Sequence, residues 1–163
     1  MRRGAMPAPI AGAPESIKLF YRVVCAPDRI NDDLPLLLFL QGGPGGESPR
    51  PLSPTSDGWI EEAVKHFRVV LPDQRGTGRS SCVDGRTIAA LGERAEATGA
   101  DAARSQADFL KRHLASSIVR DFEYLRLVGF GGKPWVTIGQ SYGGFLTLSY
   151  LSLFPEGVTA SFT

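Results

Sequence analysis

The stretch "VTIGQSYGGFLTLSYLSLFPEG", residues 136–157, decides the fold. It extends an apolar run that begins at Trp135, and from Phe145 it becomes a second apolar segment stopped by Pro155 and Gly157. Between the two stands Gly139-Gln140-Ser141-Tyr142-Gly143, a Gly-x-Ser-x-Gly pattern set between a strand and a helix. In that setting a serine sits on a sharp turn with its hydroxyl outward. The pattern alone is weak in a chain with 19 glycines, so its context carries the reading. Ser141 is therefore the candidate nucleophile. Gly139 and Gly143 stand where a side chain would meet the neighbouring strand or helix, and Gly144 is expected to let the helix approach the sheet. The helix aims its first amides at the turn, which favours developing negative charge. Because that helix is apolar nearly all round, it is expected to be buried.

Upstream, "PLLLFLQ" and "RVVLPD" are short continuous apolar runs bounded by proline and glycine, the signature of strands buried on both faces. "SIKLFYRVVCAP" alternates in part and reads as a first strand, whereas residues 1–15 read as a loose tail. "WIEEAVKHF" (59–67) predicts a short helix with Ser56 or Asp57 as its cap. The Ala/Gly-rich stretch from Gly85 to Arg104 is weakly patterned and is expected to be surface. From Ala107 a helical period runs through Leu110, Leu114, Ile118, Phe122 and Leu125, with Ser116 or Ser117 as possible caps of a break. "FGGKP" stops it, and "VTASFT" starts a further strand in which the sequence stops. Alternating strands and helices predict an α/β fold with a mostly parallel sheet flanked by helices. Ligands of such sheets bind at the strand-to-helix turns, and three of these are glycine-rich: 41–46, 76–78 and 139–144.

A chain of 163 residues has room for one domain, read here as residues 16–163. Its 42% hydrophobic and 21% charged residues are those of a globular protein. A net charge of +1 gives no footprint for nucleic acid, and the longest apolar run is far too short to cross a membrane. Cys25 and Cys82 have no metal-ligand spacing and read as reduced thiols of a cytoplasmic protein. No metal or other cofactor is expected. The loop after "PLLLFLQ" lacks the Gly-Lys-Ser/Thr ending of a phosphate cradle. Its glycines instead suit backbone N–H groups aimed at an oxyanion, from Gly43 with Gly42 as fallback, and a second donor from Tyr142.

"LFLQGGPG", "PDQRGTGRSS" and "GKPWVTIGQSYGGFLTLSYLSLFPEG" resemble, in order and spacing, the prolyl aminopeptidases (proline iminopeptidases) of the α/β-hydrolase fold. The resemblance runs from about Ile17 to the end. Gln41 stands where many members have histidine, a departure that points to the larger members. The resemblance implies Ser141 as nucleophile and the 42–45 loop, with Pro44 and Gly45, as oxyanion loop. It also implies small peptides or amides with a free N-terminal proline as substrates. Asp73, Arg75 and Gly76 match the family's Asp-x-Arg-Gly turn, expected to brace the site by hydrogen bonds.

A serine needs a base and an orienting carboxylate, which follow it in this fold in the order acid, then histidine. Downstream of Ser141 there is only Glu156, and both histidines, His66 and His113, lie upstream. The expectation is an N-terminal portion of a longer serine peptidase, inactive by itself. Alternatives are a tripeptidyl aminopeptidase or esterase of the same fold. From a different class, a short non-catalytic relative that binds a partner is distinguished by whether the reading frame continues past Thr163.

Overall fold

Strands with apolar side chains on both faces must be covered on both, and this requirement organises the chain. The computed structural model describes residues 4–7, 16–53 and 58–163. Its strands are β1 (Gly4–Pro7), β2 (Ser16–Leu19), β3 (Tyr21–Val24), β4 (Leu36–Leu40), β5 (Arg68–Pro72), β6 (Trp135–Gly139) and β7 (Val158–Phe162). The helices are α1 (Gly58–Ala63), α2 (Gly85–Ala97), α3 (Ala102–Lys111), α4 (Ala115–Gly129) and α5 (Tyr142–Leu153). Five strands form one sheet in the order β3-β5-β4-β6-β7. β4 pairs in parallel with β5 and β6, β6 in parallel with β7, and β3 runs antiparallel to β5.

All five residues of β4 are buried. Leu36, Leu38 and Leu40 face one core with Val70, Phe122, Trp135, Leu146 and Tyr150, beneath α4 and α5. Leu37 and Phe39 face the other, with Ile60, Val64, Val69 and Leu71, beneath α1. Each such side chain contributes about 1.5–3 kcal/mol on burial. With β4 central and parallel to both neighbours, the carboxyl ends of β4, β5 and β6 share one edge, and the three glycine-rich turns follow there.

Several expectations change. The predicted first strand divides at Phe20, whose N–H donates to Ser80 Oγ (3.0 Å) and whose carbonyl accepts from Asp73 N–H (2.9 Å). The backbone at Phe20 is thus committed to the turn after β5, and β2 pairs antiparallel with β1 instead. Within the expected tail, Gly4–Pro7 is therefore a paired strand. The caps foreseen at Ser56 and Asp57 lie outside the described residues.

The weakly patterned stretch holds a regular helix, α2, because the Asp84 carboxylate caps it by accepting from Thr87 N–H (2.8 Å). α2 rests on α3, where Gln106 Nε2 donates to Ile88 O (2.9 Å). The long periodic segment is two helices, broken at residues 112–114 rather than at Ser116 or Ser117. α5 is only half covered: Leu146, Thr147 and Tyr150 are buried, while Phe145 and Leu148 are 56% and 62% exposed. Beside it β7 is an edge strand with Phe162 exposed. Among the described residues no helix is long and apolar enough to cross a membrane.

Candidate active site

β6 ends at Gly139 and α5 begins at Tyr142, so two residues make the whole turn. At its tip Ser141 has φ 55° and ψ −116°, the only positive φ outside glycine among the described residues. Such a conformation costs about 1–3 kcal/mol and persists only where its surroundings enforce it. The enforcement is steric and local. A Cβ on Gly143 would fall 1.8 Å from the Leu40 carbonyl oxygen, and one on Gly139 2.5 Å from the Gly143 oxygen. The start of α5 is thereby pressed directly on the end of β4. At Gly144 the nearest atom to a Cβ is Thr163 Cβ at 3.7 Å, an ordinary contact, so the close approach belongs to Gly143 rather than Gly144.

Ser141 is exposed, and its hydroxyl does not take the usual N-cap hydrogen bond of α5. Gly143 N–H donates to Gln140 O and Gly144 N–H to Ser141 O, both at 2.8 Å. The Tyr142 amide has no partner among the described residues. The Tyr142 ring stacks on Phe145 at 5.8 Å, and burial raises its phenol above the ordinary range.

The glycine loop after β4 lies against this turn. A Cβ on Gly42 would stand 2.6 Å from Gln140 O and 3.2 Å from Ser141 Cβ. The Gly42 amide is engaged, donating to Gln41 Oε1 at 2.8 Å. The Gly43 amide has no partner among the described residues. Gly43 and Gly45 both have positive φ, and the Gly43-Pro44 peptide is cis. The amides of Gly43, in the loop after β4, and of Tyr142, at the start of α5, thus carry no hydrogen bond among the described residues.

The turn after β5 supports the loop from below. Asp73 is fully buried; it accepts from Ser48 N–H (3.1 Å) and Arg79 N–H (2.8 Å) and pairs with Arg50. Gly78 is obligatory here, because a Cβ would lie 2.3 Å from Asp73 Oδ2. Arg75 reaches the other way, donating to both carboxylate oxygens of Asp121 on α4 (2.6 and 2.5 Å) and to Arg112 O (2.7 Å). Gly76 packs under His113, whose Cδ2 lies 3.1 Å from a Cβ placed there. Gln74, buried beside Asp73, donates from Nε2 to Gln41 O at 2.8 Å.

Among the described residues no histidine hydrogen-bonds Ser141. His113 approaches Phe109 O with Nδ1 at 3.1 Å, and burial holds its pKa below the ordinary value, against the Phe109 hydrogen bond. His66 is exposed near Glu62 at 3.8 Å. Glu156 is exposed in the turn after α5. No group of three or more His, Cys, Asp or Glu poised for a metal occurs among the described residues. Gln74 and Asp121 were not singled out in the sequence, and Gln41 was noted only as a departure from the histidine of many family members. Asp121 had a signal: it interrupts the apolar stripe of Ile118, Phe122 and Leu125.

Away from the turn, the start of β6 and the second half of α5 are held by a buried polar cluster. Trp135 Nε1 donates to Tyr150 Oη (3.1 Å), and Tyr150 Oη donates to Glu123 Oε2 (2.6 Å). Arg126 donates to both oxygens of Glu123 (2.8 and 2.6 Å). The Arg126 hydrogen bond holds the Glu123 carboxyl below its usual range, while burial, reinforced by Glu123, keeps the Tyr150 phenol protonated. One cluster thus ties the strand before Ser141, the helix after it, and α4.

Residues 35–162 match the family model described as the alpha/beta hydrolase fold. A proline iminopeptidase of Aeromonas sobria is 46% identical over 144 residues, covering 88% of this chain and 31% of the relative. A proline iminopeptidase of Aspergillus aculeatus is 35% identical over 154 residues, covering 90% of this chain and 32% of the relative. The chain therefore spans about a third of the length of these relatives. Among solved structures, a thermophilic esterase from Thermogutta terrifontis superposes with a TM-score of 0.55 at 19% identity, over 97% of this chain and 43% of the esterase. That likeness concerns the fold alone.

Proposed function

We propose a serine hydrolase function from one premise: the chain belongs to the alpha/beta hydrolase fold family. The observation that carries the proposal is Ser141 at φ 55°, exposed, with its hydroxyl uncommitted and with the Gly43 amide of the adjoining loop and the Tyr142 amide of the helix start both without a hydrogen bond among the described residues. In the whole protein, Ser141 Oγ attacks the carbonyl carbon of a substrate's N-terminal residue. The N–H groups of Gly43 and Tyr142 receive the negative charge on the carbonyl oxygen. The amine leaves with a proton, and water then releases the acyl group from Ser141. The base and its carboxylate partner are assigned to the two thirds of the relatives' length that this chain does not span.

For the substrate we propose peptides and small amides with a free N-terminal proline, on the strength of the similarity to two proline iminopeptidases. Asp73, Arg75 and Gly76 brace the site and do not touch the substrate. The test is Ser141→Ala in the full-length protein, assayed on proline p-nitroanilide. The rate falls by about 10⁶-fold, the usual consequence of removing the nucleophile, and the urea midpoint stays where it was. Retention of more than a few per cent of the rate removes Ser141 from the mechanism. A panel of proline, alanine and tripeptide amides with short esters tests the substrate class; preference for tripeptide amides or esters overturns the proline assignment.

A further inference from the structure

We propose that Gln41 is a positioning residue that sets which amide of the glycine loop serves the oxyanion; this rests on the serine hydrolase reading above. Residues 42–46 contain four glycines and one proline, with φ 112° at Gly43 and 103° at Gly45. A loop of this composition has little intrinsic preference for one conformation. The Gln41 carboxamide supplies it. Oε1 accepts from the Gly42 N–H at 2.8 Å, and Nε2 donates to the Glu47 carbonyl at 2.7 Å, so one planar group joins both ends of the loop. Its own carbonyl is fixed by Gln74 Nε2 at 2.8 Å, which anchors the clamp to the buried turn after β5.

Two consequences follow. The Gly42 amide is consumed, so Gly43 is the first amide of the loop without a hydrogen bond among the described residues. Rotation of the peptide that carries the Gly42 N–H or the Glu47 carbonyl also breaks a bond of the carboxamide. Only a side chain that is donor and acceptor at once makes both bonds. Leucine has neither function, and an ionised glutamate keeps the acceptor for Gly42 but faces the Glu47 carbonyl without a proton.

The experiment compares wild type, Gln41→Leu and Gln41→Glu in the full-length protein. Hydrogen exchange of the Gly42 amide, read by NMR on glycine-labelled protein, accelerates at least about tenfold in Gln41→Leu, with β4 and β6 amides unchanged. On proline p-nitroanilide, kcat falls about ten- to a hundredfold while KM moves less than threefold, and Gln41→Glu falls between. Affinity for a proline boronic acid, which mimics the tetrahedral state, falls in step with kcat. A merely structural role would lower the urea midpoint and leave kcat per folded molecule unchanged, which overturns the proposal. Equal Gly42 exchange in wild type and Gln41→Leu also overturns it, leaving the hydrolase reading intact. Full activity of Ser141→Ala overturns that reading and this proposal together.

Discussion

Alanine at Gly143 and at Gly144 tests how the turn is held, because the two neighbours differ only in what a methyl group meets. At Gly143 the new Cβ falls 1.8 Å from the Leu40 carbonyl oxygen, which is backbone of the central strand and cannot turn aside. Reaching an ordinary C···O contact of about 3.3 Å requires about 1.5 Å of relative movement between α5 and β4. α5 carries Leu146 and Tyr150 into the core at full burial, so the movement strains packing along the helix. Overpacking of this kind costs about 3 kcal/mol. At Gly144 the methyl meets Thr163 at 3.7 Å, and alanine in a helix is favoured over glycine by about 1 kcal/mol. The propensity gain is common to both positions, so the adjacent substitutions should differ by about 3 kcal/mol, read from urea unfolding followed by circular dichroism. In the full-length protein Gly143→Ala should also lose about a hundredfold in rate, since a displacement near 1 Å is enough for that. Two alanine variants within 1 kcal/mol of each other would refute the argument that this contact shapes the turn.

Arg75→Leu leaves Asp121 buried and unpaired and should cost about 3–5 kcal/mol, whereas Arg75→Leu with Asp121→Leu recovers most of it; urea midpoints decide. Glu123 binds fewer protons folded than unfolded, because Arg126 lowers its pKa. Its contribution is thus present above the ordinary glutamate range and is lost as pH falls through the lowered folded value. Stability should decline across that acid window, and Glu123→Gln should flatten the decline when urea midpoints are measured between about pH 3 and 6. The His113 ring should titrate below the ordinary histidine value in an NMR pH series, since burial disfavours its charge.

What was legible in the sequence was whatever a short window contains. "PLLLFLQ" and "RVVLPD" announced strands covered on both faces, and the sharp turn at Ser141 was identifiable from a strand, a pair of glycines and a helix in immediate succession. What was not legible depends on residues distant in the chain. α2 buries only Gly92 and Ala95, so almost no apolar pattern marks it, and its cap at Asp84 was the sole local sign. The break at Phe20 exists because Ser80 and Asp73, 60 and 53 residues away, take its backbone groups. α5 reads as buried all round from composition, yet its outer face is open because coverage depends on what packs there. The clamp at Gln41 was missed because a lone glutamine beside glycines carries no periodic signal.

The packing around Ser141 also bears on how such a site changes over generations. The unusual conformation is imposed by Gly139, Gly143 and the Leu40 carbonyl, and the side chain at 141 takes no part in imposing it. The chemistry proposed for Ser141 therefore rests on a position that the fold itself does not read. A lineage can replace the proposed nucleophile at that single point while the geometry around it is inherited unchanged. Any substitution of the flanking glycines must first rebuild the contact between helix and strand. Innovation at this turn is confined to one residue, and conservatism to its neighbours.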